Sequence, residues 1–196
     1  VAVTSMTGFN SSISFADSIF AIGLEMYLGQ GNKYYDYAAF PLYKRKLMNS
    51  YNIVPDFMKG WAMSQFPMDS SIDNLLTEMI YQGKIMYLLD AFLLQTNDTS
   101  KIGFSEKQLK WCERNASNIW GYMIENEKLY STSAEDIAKF MNEGPFTSGF
   151  VKESPARTGI WIGWQIVRAY MERTKKSITE LMKEKDVKKI LDESKY

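Results

Sequence analysis

The chain has 196 residues, 45% of them hydrophobic, with 23 basic and 23 acidic side chains and no histidine. That length suits one domain with a substantial core, and the even charge balance argues against electrostatic capture of nucleic acid or an anionic membrane, while leaving room for a local basic patch. Without imidazole the commonest general base and metal ligand are missing, so no Ser-His-Asp or Cys-His centre can be assembled; Cys112, the sole cysteine, excludes an intrachain disulfide and a multi-cysteine metal site.

Val1 stands where a start methionine would, which leads to the expectation of a processed or trimmed beginning. Val1 to Met6, Ser12 to Phe15 and Ile19 to Leu24 are rich in β-formers and predict three short strands, two of them a hairpin across Ala16-Asp17-Ser18. Residues 1–29 would thus form a small antiparallel sheet. Gln30 to Tyr37, which follows Gly29 and holds Gly31 and three tyrosines, reads as an irregular loop.

From Pro41 the apolar period is helical. Leu42 to Met48 predicts two turns, and Pro55 opens a helix that runs through Phe66 until Pro67 stops it. Ser71 to Leu93 is the longest predicted helix, with Leu75, Met79, Gly83, Met86 and Leu93 on one face and Gln82 and Asp90 on or beside it. An acid on an apolar face needs a partner, and Arg157 or Arg168 is expected to supply it.

Thr96 to Ser100 reads as a polar connection. Ser105 with Gln108 has capping-box form and opens a helix to about Glu125; Ser133 caps a shorter one to Met141. Gly144, Pro145 and Gly149 make the stretch to Val151 a loop. Ser177 with Glu180, and then Asp186, begin two short closing helices.

The chain is organised around Ser154 to Met171. Ser154 would cap this helix and Pro155 would sit in its first turn; between Ile160 and Met171 only Gln165 and Arg168 are polar, the pattern of a helix wrapped on nearly all sides. Arg157, Trp161, Trp164 and Arg168 fall within a sector of about 60° at helical period. Either the arginines stack on indoles and pair with carboxylates, or they line an anion-binding pocket. Gly159 and Gly163 have GxxxG spacing, but the apolar run is far short of the roughly 20 residues that span a bilayer, so they would admit a neighbouring backbone. The whole reads as one domain, 1–196, of α+β, mostly α class: a sheet over 1–29 and a helical part over 41–196.

Asn142-Glu143-Gly144-Pro145-Phe146-Thr147-Ser148-Gly149-Phe150, Glu153-Ser154-Pro155-Ala156-Arg157 and Trp161-Ile162-Gly163-Trp164-Gln165-Ile166-Val167-Arg168 together resemble the C-terminal signature of GldB, the gliding-motility lipoprotein family of Bacteroidetes. Gly23 to Gly29, Tyr51 to Asp56, Met79 to Lys84 and Ile190 to Tyr196 are similar in the same order. Ala156 stands where the family pattern has glycine. The resemblance implies a periplasm-facing envelope protein tethered by a lipid at its N-terminus. Envelope proteins, the gliding machinery among them, or lipid would be its partners, and the membrane would be met only through an anchor outside this chain. It implies no assigned reaction, no cofactor and no metal.

A more distant similarity is to zincin metallopeptidases: Ile80-Tyr81-Gln82-Gly83-Lys84-Ile85 looks like their Glu-Gly helix with Gln82 at the third-ligand position. A neutral amide is a poor zinc ligand and the HExxH helix has no counterpart, so such a site would have lost its metal. Three readings therefore stand: a non-enzymatic envelope protein, an inactive zincin-like ligand-binding domain, and a carboxylate-based hydrolase using a pair among Glu78, Asp90, Glu143 and Glu153. The candidate ligand-binding residues are Arg157, Trp161, Trp164, Arg168, Gln82 and Asp90; no catalytic residue is assigned.

Overall fold

A computed structural model describes residues 2–4, 12–16, 19–69 and 74–196. Two compact units emerge: one formed by 1–67 with 93–103, the other by 68–92 with 104–196. No helix among the described residues is long and apolar enough to cross a membrane. The class is α+β and mostly helical, as the sequence predicts.

In the first unit, β1 (Ala2–Thr4), β2 (Ile13–Ala16) and β3 (Ile19–Gly23) form one sheet in the order β1-β3-β2. The predicted hairpin is present, with Phe15 opposite Phe20 and their ring centroids 4.7 Å apart. The outer strand departs from the expected antiparallel pattern, because β1 runs parallel to β3. Residues 17–18 of the expected hairpin turn lie outside the described residues. α3 (Ile53–Gln65) covers the sheet: Phe57 meets Phe20 edge-on at 5.4 Å, and a Cβ on Gly60 would stand 2.9 Å from Ile13 Cγ2.

Between sheet and α3 the chain is more ordered than its glycines suggest. The expected loop holds a helical turn, α1 (Tyr34–Tyr37), and the expected two-turn helix is the single turn α2 (Leu42–Arg45). Tyr35 explains the order: fully buried, it donates its hydroxyl to the Glu25 carbonyl at 2.9 Å and accepts the Leu28 N–H at 2.8 Å. Burying an aromatic ring with its polar tip satisfied organises a turn that local propensity leaves open. Tyr27 donates to Asp56 Oδ2 at 3.1 Å, and burial, with the Asp56 charge, pushes its hydroxyl pKa well up. α5 (Asp98–Ile102) replaces the connection expected from Thr96 to Ser100, closed by Gly103 in the left-handed region.

The second unit is built on α4 (Leu75–Phe92) and α8 (Thr158–Thr174), which pack along each other. α4 buries residues on every side, from Leu75 and Leu76 through Ile85 and Met86 to Leu89, so it shares the central place expected for α8 alone. α6 (Glu106–Glu125) opens with the expected capping box and α7 (Ala134–Met141) with its Ser133 cap. α9 (Ile178–Lys183) and α10 (Val187–Ser194) begin at the Ser177 box and the Asp186 cap, as predicted. Cys112 is buried, and burial pushes its thiol up to about 12.

Candidate functional site

Two of the stretches that carry the resemblance, Met79 to Lys84 on α4 and Trp161 to Arg168 on α8, meet where these helices cross. Two glycines set the distance. A Cβ on Gly163 would stand 1.9 Å from the Met79 carbonyl oxygen, and one on Gly83 would stand 2.3 Å from the Gly163 carbonyl oxygen. Both obstacles are backbone and cannot swing aside, so the helices touch main chain to main chain. The close approach expected of Gly163 is observed, and Gly83 is its counterpart. Gly159 faces other neighbours, Met141 Sδ and Phe140.

Two turns along from the crossing, Asp90, Trp164 and Arg168 converge. Arg168 Nε donates to Asp90 Oδ2 at 2.7 Å and its NH2 to Oδ1 at 2.9 Å, a two-point grip on the carboxylate. Trp164 Nε1 donates to the same Oδ2 at 2.9 Å, and Arg168 Cζ lies 3.8 Å from the Trp164 ring centroid. The expected partnership of Asp90 is thus made with Arg168. The arginine is held by an anion at its edge and by an indole face. The side chains keep 31% (Arg168) and 19% (Asp90) of their exposure, so the pair lies at the margin of the core.

Arg157 is elsewhere. α8 starts at Thr158, later than the predicted start near Pro155, and Arg157 adopts φ 59°, ψ 32° in the left-handed region. The cause is the tie between loop and helix: Thr147 gives both its N–H, at 3.0 Å, and its hydroxyl, at 2.8 Å, to the Pro155 carbonyl, which holds Pro155 out of the helix. The Thr147 and Thr158 hydroxyls then meet at 3.0 Å in the buried interior. Arg157 therefore leaves the shared sector expected for it, and its guanidinium lies 5.6 Å from the Phe104 ring centroid. Trp161 is buried in the core at 3% exposure. Gln82, half-buried on α4, stands eight residues from Asp90, about 12 Å along a helix axis.

The loop before α8 is pinned by an aromatic cluster the sequence did not reveal. Phe150 meets Tyr122 at 5.2 Å, Trp111 at 6.1 Å and Phe140 at 6.2 Å between centroids, and Lys139 donates to the Tyr122 hydroxyl at 2.9 Å. Glu143 and Glu153 are exposed on this loop. The other unforeseen group is Lys84, buried beside Gly83; it donates to the Glu184 carbonyl, and burial lowers its pKa. Each was hidden for the same reason: partners on other elements, 100 residues away in the case of Lys84, leave no local pattern.

No group of three or more Cys, Asp or Glu among the described residues could hold a metal ion. The cluster's chemistry is that of a charge-compensated carboxylate: Asp90 accepts hydrogen bonds on both oxygens, from Arg168 and Trp164 on Oδ2 and from Arg168 on Oδ1. Compared with known proteins, the entire chain, residues 1–196, matches the model of one family, described as gliding motility protein GldB. No curated protein and no solved structure matched it.

Proposed function

Because the chain belongs to the family of the gliding motility protein GldB, we propose that it is a non-enzymatic protein of the bacterial envelope that serves the gliding machinery through protein or lipid contacts. The family label marks a lipoprotein, and the reading places the chain on the periplasmic side, tethered by an N-terminal lipid in a bacterium of the Bacteroidetes. The observation that carries the proposal is the extent of the match, which takes in the whole chain rather than a shared motif. The geometry supports a role without turnover: Asp90, one of the two candidate acids on α4, has both oxygens engaged by Arg168 and Trp164.

Deleting the gene and complementing it tests this reading. Colony spreading should fail in the deletion strain and return with the wild-type gene, and the protein should fractionate with membranes until detergent releases it. Normal spreading without the gene, or hydrolysis of an ester, glycoside or peptide bond by the purified chain, would overturn it.

A further inference from the structure

The chain is neutral overall, yet residues 28–51 carry Lys33, Lys44, Arg45 and Lys46 against the single acid Asp36. Asp36 pairs with Arg45, and among the described residues no ion pair engages Lys33, Lys44 or Lys46. The same segment exposes Tyr37 at 81%, Leu42 at 68% and Tyr34 at 52%. In the other unit the large exposed apolar side chains are dispersed, with Ile124, Tyr130 and Val151 on separate stretches.

These side chains lie on two consecutive helical turns. Tyr34 and Tyr37 stand one turn apart on α1 with centroids 6.5 Å apart, and Lys33 Nζ lies 5.7 Å from the Tyr34 ring centroid. The Asp36–Arg45 pair and the Arg45 Nε bond to the Phe40 carbonyl, at 2.6 Å, tie α2 to α1, whose next residues include exposed Leu42 and Lys46, while half-buried Lys44 sets its Nζ 5.9 Å from the Phe40 ring centroid. Buried Tyr35 anchors α1 to the stretch 25–28.

We propose that this α1–α2 segment docks on a bilayer surface rich in anionic phospholipid, with Tyr34, Tyr37 and Leu42 entering the headgroup region and Lys33 and Lys46 meeting phosphates. Tyrosine suits that depth, with an apolar ring and a wet tip, and lysine stems run along apolar surface while the ammonium stays in the polar layer. A protein partner is disfavoured by the composition, since lysine is depleted from protein interfaces, and single helical turns offer neither a groove nor a strand edge for a peptide. The sequence alone led us to expect membrane contact through the anchor only; this segment adds a contact made by the chain itself.

The inference rests on the envelope reading but fails separately from it: a spreading defect without vesicle binding would remove this proposal and leave that one. The test is cosedimentation of the purified 196-residue chain with vesicles of phosphatidylglycerol and phosphatidylcholine, or of phosphatidylcholine alone. Binding should require phosphatidylglycerol and weaken with salt. Each lysine removed should weaken it about fivefold, so Lys33→Ala with Lys46→Ala loses about 25-fold. Tyr37→Ser should also bind less, whereas Tyr130→Ser, in the other unit, should match wild type. Circular dichroism checks that each variant is folded. No binding to phosphatidylglycerol vesicles, or a folded lysine double variant binding as wild type, would overturn the proposal.

Discussion

Gly163→Ala tests the helix crossing at its narrowest point. The added methyl would lie 1.9 Å from the Met79 carbonyl oxygen, 2.5 Å from its carbon and 3.1 Å from Met79 Cα. A comfortable carbon–oxygen contact is about 3.3 Å, so α4 and α8 must part by more than an ångström. A gap of that size forfeits a quarter to a half of each dispersion contact across it. Overpacking of this kind costs about 1–3 kcal/mol, and backbone obstacles place it at or above the top of that range. Alanine returns about 1 kcal/mol of helix propensity, which leaves a net loss of at least about 2 kcal/mol. In a chain of this length that lowers Tm by roughly 4–8 °C. Gly121→Ala on α6 is the control, since nothing lies within 4 Å of its added Cβ; propensity alone then raises stability by about 0.5–1 kcal/mol. Urea unfolding followed by circular dichroism reads both. If Gly163→Ala is as stable as wild type while Gly121→Ala behaves as stated, the helices do not touch through their backbones and the reasoning fails.

Three further outcomes follow from side-chain environments. Arg168→Ala should cost about 2–3 kcal/mol, below the 3–5 kcal/mol of a fully buried broken pair because the side chains keep 31% and 19% exposure. A double-mutant cycle with Asp90→Ala should give a coupling of about 1–3 kcal/mol; a coupling under about 0.5 kcal/mol would contradict the two-point grip. Cys112, with its thiol pushed up to about 12, should resist a thiol reagent at mildly alkaline pH and react promptly in urea; rapid labelling of the folded chain would contradict its burial. Lys128 and Ser131 hold Asp136 below its ordinary pKa, and Lys189 and the Asp186 N–H do the same for Glu184. Depressed carboxylates stabilise fully above their unfolded pKa, near 4, and the contribution is lost as pH falls through the folded values. Asp136→Asn with Glu184→Gln should therefore shrink the fall in Tm between neutral and acid pH, and an unchanged fall would refute it.

Much of this architecture was readable before any coordinates. Capping chemistry placed α6, α9 and α10 because Ser105 with Gln108, Ser177 with Glu180, and Asp186 act within one helical turn. The Asp90–Arg168 pair was foreseeable because a carboxylate on an apolar helix face demands a counter-charge. What stayed hidden depends on distant contacts. The start of α8 at Thr158 is decided by Thr147 holding the Pro155 carbonyl, and nothing near Pro155 announces that. α1 exists because Tyr35 is buried under the segment, against the tendency of its flanking glycines. The GxxxG spacing foretold a close neighbour for Gly163 without naming Gly83. Arg157 shows the limit most plainly, since helical counting put it beside Trp164 and one left-handed residue sent it to Phe104.

The central claim is that the Asp90–Trp164–Arg168 cluster locks the fold while the protein works by association. Its most direct test is colony spreading of cells whose gene carries Asp90→Asn with Arg168→Gln, a pair that removes both charges yet leaves Trp164 Nε1 an acceptor. With the variant present in the envelope at wild-type level, the account predicts wild-type spreading. Loss of spreading at that same protein level would make the cluster a working site and contradict it.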